Sequence, residues 1–329
     1  MKIALDAMGG DFAPSEVVKG AIEACRELDA EVILVGIESR IREELHKLPH
    51  NGLKLEICHA SEVINMDEHP ATAVRGKKDS SLVVANELVK KGEASAVISA
   101  GNTGAAMAAS LLTLGRIKGI NRPAIASPMP TKTGVSVLLD AGANADCEPE
   151  NLFQFAFMGA VYAEKVLGIT HPRIGLLSIG EEETKGNKLT LESHQLLKNS
   201  QLNFIGNIEG RDVHRGVCDV TVCDGFVGNI VLKVSEGLSS VLFGQIKEAI
   251  LSDPLASVGG LFIKKAMSKL KANMDYTEYG GAPLLGLNGI SMIGHGSSNA
   301  KAIKNAIRAA MKAVNEDVVG KISTAANGE

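Results

Sequence analysis

Six short segments combine glycine with asparagine, serine, aspartate or lysine, and each follows a run of apolar residues: 6–11, 99–104, 140–144, 180–187, 224–229 and 294–299. Glycine lets the backbone approach a ligand closely, and free amides at the start of a helix attract anions. Ligands of open α/β sheets bind beyond the carboxyl ends of the strands. If the strands are adjacent, these segments predict a site for an anionic, phosphate-like ligand.

Lysines stand close to two Gly-Asn pairs in these segments. Lys185 lies two residues before Asn187, and Lys233 lies four residues after Asn229. A lysine together with amide donors can hold an anion and stabilise a developing oxyanion. Either segment alone is typical of a solvated turn, above all 180–187 with its three consecutive glutamates. The pairing of the two segments favours a site.

Other kinds of catalytic site find little support in the sequence. The chain has no Gly-x-x-x-x-Gly-Lys-Ser/Thr, Gly-x-Gly-x-x-Gly, His-Glu-x-x-His or Gly-x-Ser-x-Gly motif. Its five cysteines include no Cys-x-x-Cys, which argues against zinc and against a disulfide framework. Cys147 could accept an acyl group, but the carboxylates beside it would raise the pKa of its thiol, the wrong direction for a nucleophile. We therefore expect neither a metal nor a cofactor.

Alternating apolar runs and helix-period segments must position these residues. Strands are predicted at 2–5, 31–35, 53–57, 94–98, 124–127, 135–139, 173–177, 204–208, 220–223 and 290–293. Helices are predicted at 14–28, 82–91, 149–167, 189–198 and 298–319, with two consecutive helices over 234–271. The alternation predicts a mostly parallel sheet covered on both faces. We predict one α/β domain over residues 1–329, with a helical excursion at about 234–275.

Composition excludes several functional classes. The chain has 329 residues, 45% of them hydrophobic, and a net charge of −4, which together exclude a disordered chain. Aromatic residues make up only 3% and tryptophan is absent, so we expect no nucleic-acid partner. The first residues lack the apolar run of a signal peptide, and no uninterrupted apolar run reaches the ~18 residues of a membrane span. With the cysteine usage, this predicts a soluble cytoplasmic protein.

Motifs follow one another in a recognisable order along nearly the whole chain. They are Asp-Ala-Met-Gly-Gly-Asp at 6–11, Ser-Ala-Gly-Asn-Thr-Gly at 99–104, Gly-Arg-Ile-Lys-Gly at 115–119, Arg-Pro-Ala at 122–124, Gly-Phe-Val-Gly-Asn at 225–229 and Tyr-Gly-Gly-Ala at 279–282. Together they resemble the bacterial acyl-ACP:phosphate acyltransferases of phospholipid synthesis. The resemblance implies a three-layer α/β/α sandwich with a Rossmann-like sheet, related to phosphotransacetylases and isopropylmalate dehydrogenases.

The resemblance also implies an activity and its partners. A long-chain fatty acyl group would pass from acyl carrier protein (acyl-ACP) to inorganic phosphate, giving acyl phosphate and ACP. The implied protein is a homodimer that associates peripherally with the membrane and supplies a downstream membrane acyltransferase. Phosphate is already an anionic nucleophile, and a thioester releases a thiol of pKa about 8.5. The reaction therefore needs no strong acid or base.

Sixteen residues are our candidates for the site. We expect Lys185, Asn229 and Asn102 to be catalytic. We expect phosphate or substrate to be bound by Asp6, Gly9, Gly10, Gly101, Thr103, Gly104, Asn144, Gly186, Asn187, Asp224, Gly228, Lys233 and His295.

Two surfaces are candidates for larger partners. ACP is acidic, and the basic residues that could receive it are Arg75, Lys77, Lys78, Arg116, Lys118 and Arg122. On a helix over 254–274, the apolar side chains of Ile263, Met267, Leu270 and Met274 fall in one arc, with Lys264, Lys265, Lys269 and Lys271 outside it. That pattern is typical of a helix in an anionic membrane interface, and equally of one packed on a partner subunit or the core.

Three alternative functions remain open at this point. A phosphotransacetylase-like enzyme would prefer short acyl-CoA, and assays with CoA and ACP thioesters separate the two. A decarboxylating NAD-dependent dehydrogenase is disfavoured by the missing dinucleotide motif. A catalytically silent membrane scaffold would keep its cellular role after alanine substitutions at the site.

Overall fold

The computed structural model describes residues 1–274 and 280–327. Its strands are β1 (Lys2–Asp6), β2 (Glu31–Gly36), β3 (Leu55–His59), β4 (Ala96–Ser99), β5 (Ala124–Ile125), β6 (Ser127–Thr131), β7 (Gly134–Leu139), β8 (Ile174–Leu177), β9 (Phe204–Ile208), β10 (Val220–Val222), β11 (Ala282–Leu285) and β12 (Ile290–Ile293). Its helices are α1 (Ser15–Leu28), α2 (Glu38–His46), α3 (Pro70–Gly76), α4 (Ser81–Lys90), α5 (Thr103–Leu114), α6 (Pro149–Tyr162), α7 (Lys188–Lys198), α8 (Gly225–Ser252), α9 (Pro254–Met274), α10 (Ala300–Asn315) and α11 (Val318–Ala326).

The strands form two sheets rather than the single sheet that the alternation predicts. The first sheet has the order β3-β2-β1-β4-β12-β11-β5, and the second has the order β6-β7-β10-β8-β9. In the first sheet the neighbours from β3 to β12 are parallel, whereas β11 is antiparallel to both β12 and β5. In the second sheet only the β6–β7 pair is antiparallel. The predicted α/β class with predominantly parallel strands is confirmed.

Alternate residues of the central strands face two layers of helices. In β1, Ile3 and Leu5 belong to the large apolar cluster that includes Val18 of α1, whereas Ala4 belongs to a separate cluster that includes Leu88 of α4. Parallel strands covered on both faces have this burial pattern. The large cluster also contains Val220 of β10, so both sheets contribute to one core.

Several element boundaries differ from the sequence predictions for identifiable reasons. The apolar run at 124–127 divides between the sheets, because β5 ends at Ile125 and β6 starts at Ser127. The predicted C-terminal helix is two helices, α10 and α11, because Asp317 adopts a left-handed conformation with φ 48° between them. The two consecutive helices predicted over 234–271 are present, although α8 already begins at Gly225.

Helix α8 is apolar and largely uncovered. Within the described residues it has the length and mean hydropathy of a helix that could cross a membrane, and 6% of its most apolar window is buried. It carries Lys233 and Glu236 near its start, which is why no uninterrupted apolar run is visible in the sequence. The single-domain organisation with a helical excursion stays a prediction.

Candidate active site

The six glycine-rich segments follow strands that are neighbours in the sheets, three in each sheet. Residues 6–11, 99–104 and 294–299 follow β1, β4 and β12, and we call them the first loop set. Residues 140–144, 180–187 and 224–229 follow β7, β8 and β10, and we call them the second loop set. Parallel neighbouring strands have their carboxyl ends at the same end of the sheet, so the three segments of each loop set lie close together. The prediction of a site depended on such neighbouring strands.

The first loop set is built around the buried carboxylate of Asp6. Ser99 Oγ donates to Asp6 Oδ2 at 2.7 Å, and the Met8 amide donates to Asp6 Oδ1 at 3.2 Å. Burial raises the pKa of Asp6, and these hydrogen bonds oppose the rise. A Cβ at Gly9 would lie 2.6 Å from Asp6 Oδ2 and 2.9 Å from the amide nitrogen of Gly101, so the two turns approach closely. Asp6 therefore fastens the turns together.

Asn102 is the N-cap of α5 in the first loop set. Its Oδ1 accepts from the Ala105 amide at 3.0 Å, and its Nδ2 donates to the carbonyls of Met66 at 3.0 Å and Glu68 at 3.2 Å. The whole carboxamide is thus engaged within the protein. Thr103 and Gly104 form the first turn of the same helix, and Gly10 lies beside the carbonyl of Gly296. A catalytic role for Asn102 stays a prediction.

The second loop set is built around another buried aspartate, Asp140. Its Oδ1 accepts from the amides of Ile125, Gly142 and Ala143, and its Oδ2 accepts from the amide and the side chain of Asn144. Burial raises the pKa of Asp140, and these donors oppose the rise. Asp140 is not among the site residues predicted from the sequence. Its position directly after a buried strand, like that of Asp6, was the available signal.

The start of α8 is pressed against the turn that holds Asp140. A Cβ at Gly228 would lie 1.9 Å from the Asp140 carbonyl oxygen, so no other residue fits there. Asp224 caps the helix by accepting from the Val227 amide at 2.9 Å. Asn144 donates its Nδ2 to the Pro123 carbonyl at 2.8 Å.

Asn229 follows in the next position and is exposed. Its carboxamide lies against Gly142, where a Cβ would meet Asn229 Oδ1 at 3.6 Å. The Asn229 side chain makes no hydrogen bond with other residues in the described part of the chain. Asn229 therefore has both donor and acceptor groups available to a ligand.

The segment 185–187 combines a fixed backbone with available donors. Gly186 has φ +130°, and a Cβ there would lie 2.0 Å from Thr190 Oγ1, so the turn requires glycine. Asn187 caps α7, its Oδ1 accepting from the Thr190 amide at 2.9 Å, and its Nδ2 donates to none of the residues described. Lys185 is exposed, and its Nζ has no hydrogen bond or ion pair among residues 1–274 and 280–327.

Lys233 and His295 join the two loop sets. Lys233 Nζ lies 3.5 Å from His295 Nε2 and 2.8 Å from Glu236 Oε2. His295 Nδ1 in turn lies 2.7 Å from Ser297 Oγ. The contact brings a residue of α8, which starts in the second loop set, to a residue of the first loop set. The predicted anion-binding residues thus belong to two groups that meet at Lys233.

Comparison with known proteins gives these groups a chemical context. A family model described as "Fatty acid synthesis protein" matches residues 1–321. A "Phosphate acyltransferase" from Pelotomaculum thermopropionicum is 59% identical over 314 residues, covering 95% of this chain and 92% of the relative. A "Phosphate acyltransferase" from Geobacter sulfurreducens is 53% identical, covering 98% of this chain and 95% of the relative. This chain belongs to the phosphate acyltransferase family.

Solved structures with similar folds agree with the α/β architecture of this phosphate acyltransferase family member. A phosphotransacetylase from Streptococcus pyogenes has a TM-score of 0.65 at 20% identity, covering 95% of this chain and 94% of that one. A branched-chain phosphotransacylase from Enterococcus faecalis has a TM-score of 0.59 at 16% identity, covering 95% and 99%. At these identities the likeness shows the fold alone.

Two other groups of reactive side chains are accounted for structurally. Burial and the charge of Asp140 raise the pKa of the Cys147 thiol to about 11, so the direction predicted from its neighbouring carboxylates is correct and burial is the leading cause. Carboxylate oxygens of Glu181, Glu209 and Asp212 lie within 4.8 Å of one another, as metal ligands would. Arginines already neutralise this cluster, because Arg211 pairs with Glu209 at 2.7 Å and Arg215 pairs with Asp212 at 3.1 Å.

Proposed function

We propose that this chain transfers a long-chain fatty acyl group from acyl-ACP to inorganic phosphate, giving acyl phosphate and ACP. Membership of the phosphate acyltransferase family supports the reaction. The observation that carries the site assignment is the set of uncommitted donors in the second loop set: Lys185 Nζ, Asn187 Nδ2 and the Asn229 carboxamide. One cation and several amides suit a phosphate next to a polarised carbonyl.

In the proposed reaction, Lys185, Asn187 and the amide of Gly186 hold phosphate beside the thioester. A phosphate oxygen forms a bond to the carbonyl carbon, and the Asn229 side chain donates to the resulting oxyanion. The carbon–sulfur bond then breaks, and the thiolate of ACP leaves and takes a proton from water. Lys233 offsets negative charge at the junction with His295.

The first loop set has a supporting role in this proposal. Asp6 and its glycine neighbours keep the turns after β1 and β4 together, and Asp224 and Asn144 do the same around α8. Asn102 contributes through the amides of Thr103 and Gly104 at the start of α5, because its own amide protons are engaged by Met66 and Glu68.

The decisive experiment measures phosphate-dependent release of ACP from purified long-chain acyl-ACP, with the acyl phosphate detected directly. We expect release that saturates with phosphate and one acyl phosphate per ACP released. Short acyl-CoA is the comparison substrate, and preference for it would instead identify a phosphotransacetylase. Release without phosphate would contradict the proposal.

The donor protein needs a basic docking surface, and we propose Arg116, Lys118 and Arg122. All three are exposed, whereas Lys77 is partly buried and paired with Glu68 at 2.6 Å. Docking between opposite charges is screened by salt, so KM for acyl-ACP should rise between low and high ionic strength. A KM that does not change with salt would exclude an electrostatic surface.

We propose further that the protein is a cytoplasmic homodimer that binds anionic membrane surfaces through α9 and passes acyl phosphate to a membrane acyltransferase. Leu261 and Phe262 are 72% and 85% exposed, and α8 adds Val234, Leu238 and Val241 to the exposed apolar residues. Exposed apolar patches of this kind mark a membrane or partner interface. The side chains of Lys269, Lys271 and Met274, and all of Tyr279, lie outside the described residues.

Co-sedimentation with vesicles of phosphatidylglycerol tests this placement. Leu261→Glu or Phe262→Glu should reduce binding while the dimer persists. Leu112→Glu makes the same change at an exposed position of α5 and is the matched control. Undiminished binding by the α9 variants, or no binding by the unmodified protein, would contradict the membrane proposal. It would favour the alternative that α9 packs against a partner subunit or the core.

A further inference from the structure

A buried pair of polar side chains lies behind the segment that carries Lys185. His194 of α7 is 2% exposed and Asn207 of β9 is 7% exposed. His194 Nδ1 lies 2.9 Å from Asn207 Oδ1, and Asn207 Nδ2 donates to the carbonyl of Glu182 at 2.9 Å. The same Glu182 carbonyl accepts from the amide of Lys185 at 3.0 Å. One carbonyl oxygen thus links the buried pair to the backbone of Lys185.

The carbonyl of Lys185 is fixed as well. Ser178 Oγ, at the end of β8, donates to it at 3.0 Å. Together with the contact to Glu182, this holds both backbone polar groups of Lys185, although its side chain is exposed. The fixed backbone determines where the ammonium group can reach.

The directions of the hydrogen bonds show what the pair supplies. Because the amide nitrogen of Asn207 donates to a carbonyl, its Oδ1 is the acceptor for His194, whose Nδ1 must carry a proton. The His194 ring also packs edge-on against Phe204, with ring centroids 5.1 Å apart. Buried polar groups are unfavourable unless they are hydrogen-bonded, and apolar residues would fill this space at lower cost. His194 Nε2 also lies 3.8 Å from Glu183 Oε1, and Asn207 provides the hydrogen bond to the backbone carbonyl of Glu182.

We propose that His194 and Asn207 are positioning residues for Lys185, acting through the Glu182 carbonyl. The proposal rests on the function proposed above for Lys185. Small displacements of a catalytic group have large effects, since a misplacement of about 1 Å can cost about 10² in rate. Neither His194 nor Asn207 contacts the substrate in this arrangement.

A double-mutant cycle tests the proposal in the full-length protein. Asn207→Asp keeps the size of the side chain but replaces the donor with an oxygen that repels the Glu182 carbonyl. We expect kcat to fall about 10- to 100-fold with KM for acyl-ACP nearly unchanged. In the Lys185→Ala background, the same substitution should lower kcat less than twofold, because the group it positions is already gone. Asn199→Asp, an identical change at the exposed end of α7, should leave kcat unchanged.

A second pair of variants separates positioning from packing. His194→Asn retains an amide N–H donor, whereas His194→Leu retains apolar volume without one. Positioning predicts higher kcat for His194→Asn than for His194→Leu, and a packing role predicts the reverse.

Three results would overturn the inference. The first is equal loss from Asn207→Asp in both backgrounds, and the second is full turnover by Asn207→Asp. Either leaves the Lys185 assignment intact if Lys185→Ala is slow. The third is full turnover by Lys185→Ala, which would overturn the proposed site and the positioning proposal together.

Discussion

The two loop sets share one plan and use it differently. Each surrounds a buried aspartate, Asp6 or Asp140, whose oxygens accept hydrogen bonds from nearby amides and side chains. In the first loop set the neighbouring polar groups bind one another, as in Asn102 with Met66 and Glu68. In the second loop set, Lys185 and Asn229 remain available. In both loop sets, hydrogen bonds to a buried carboxylate therefore hold the turns in place. Whether a loop set can bind a ligand depends on the side chains that make no hydrogen bonds within the protein.

Replacing Lys185 should produce the largest effect, since it removes the cation of the second loop set. We expect Lys185→Ala to lower kcat about 10²- to 10³-fold, the range for loss of one charge-stabilising donor. The measurement is acyl phosphate formation at saturating acyl-ACP and phosphate. Lys188→Ala, three residues along and also exposed to solvent, should stay near the unmodified rate. Near-normal turnover by Lys185→Ala would remove the distinction between the loop sets.

Asn229→Ala should have the next largest effect. We expect kcat to fall about 10²-fold, the lower end of the range for loss of one oxyanion donor, because Asn229 is uncharged. The melting temperature should hardly change, because the Asn229 side chain makes no hydrogen bond within the described residues. A large fall in melting temperature with normal turnover of the folded protein would show a structural role instead.

Asn102→Ala provides the contrast in the first loop set. The substitution removes a helix cap and leaves two carbonyls without their donor, so stability should fall about 1–2 kcal/mol. Turnover of the folded protein should fall much less than for Asn229→Ala. Urea unfolding and kcat together decide the question, with Asp317→Ala as the control outside both loop sets, because Asp317 also caps a helix, through the Gly320 amide at 3.2 Å. A loss of kcat that matches Asn229→Ala at unchanged stability would make the first loop set catalytic as well.

The smallest effect of a substitution is expected at Asp219, which precedes β10 and so lies at the end of the second sheet opposite to the second loop set. Burial raises the pKa of Asp219, but hydrogen bonds from the Arg173 amide at 2.8 Å and Nε at 3.0 Å, with the arginine charge, bring it below its usual value. A lowered pKa stabilises the fold above the unfolded value of about 3.9 and ceases to do so as pH falls through the folded value. Asp219→Asn should therefore lower stability by roughly 1 kcal/mol at pH 7 and by almost nothing near pH 2.

Thermal unfolding at the two pH values checks this difference, and turnover at pH 7 should be unaffected. An equal loss of stability at both values would assign the effect to packing rather than to charge. A loss of turnover would mean that distortion of the sheet reaches the second loop set.

Much of the fold could be predicted from the sequence, because buried parallel strands are continuous apolar runs. Strand β6 could not, since Pro128 and Pro130 are atypical of strands and are tolerated only at its position on the sheet edge. Helix α2 was missed because Ile41 and Leu45 are its only buried residues, too few for a clear helical period.

The loops that form the site could be predicted from the sequence, but the role of each residue in them could not. Asn102 and Asn229 have the same Gly-Asn setting in the sequence, and only their distant partners tell them apart. The carbonyls that engage Asn102 belong to Met66 and Glu68, far from it along the chain. The hydrogen bonds from His194 through Asn207 to Glu182 likewise join α7, β9 and the segment after β8, and no local sequence pattern predicts them.

The length of α8 imposes a spatial separation on the proposed cycle. With 28 residues, the helix extends about 42 Å from the second loop set to Ser252. Leu261 and Phe262 follow in α9, which turns back beside the end of α8, since Ser257 Oγ donates to the Ile250 carbonyl at 2.9 Å and Gly260 lies against the Ile250 side chain. The exposed side chains of Val234, Leu238 and Val241 lie on α8 between Asn229 and these two residues, so apolar surface continues along the helix from the second loop set. In the proposed cycle, α8 would thus connect the place where acyl phosphate is made with the place where a membrane receives it.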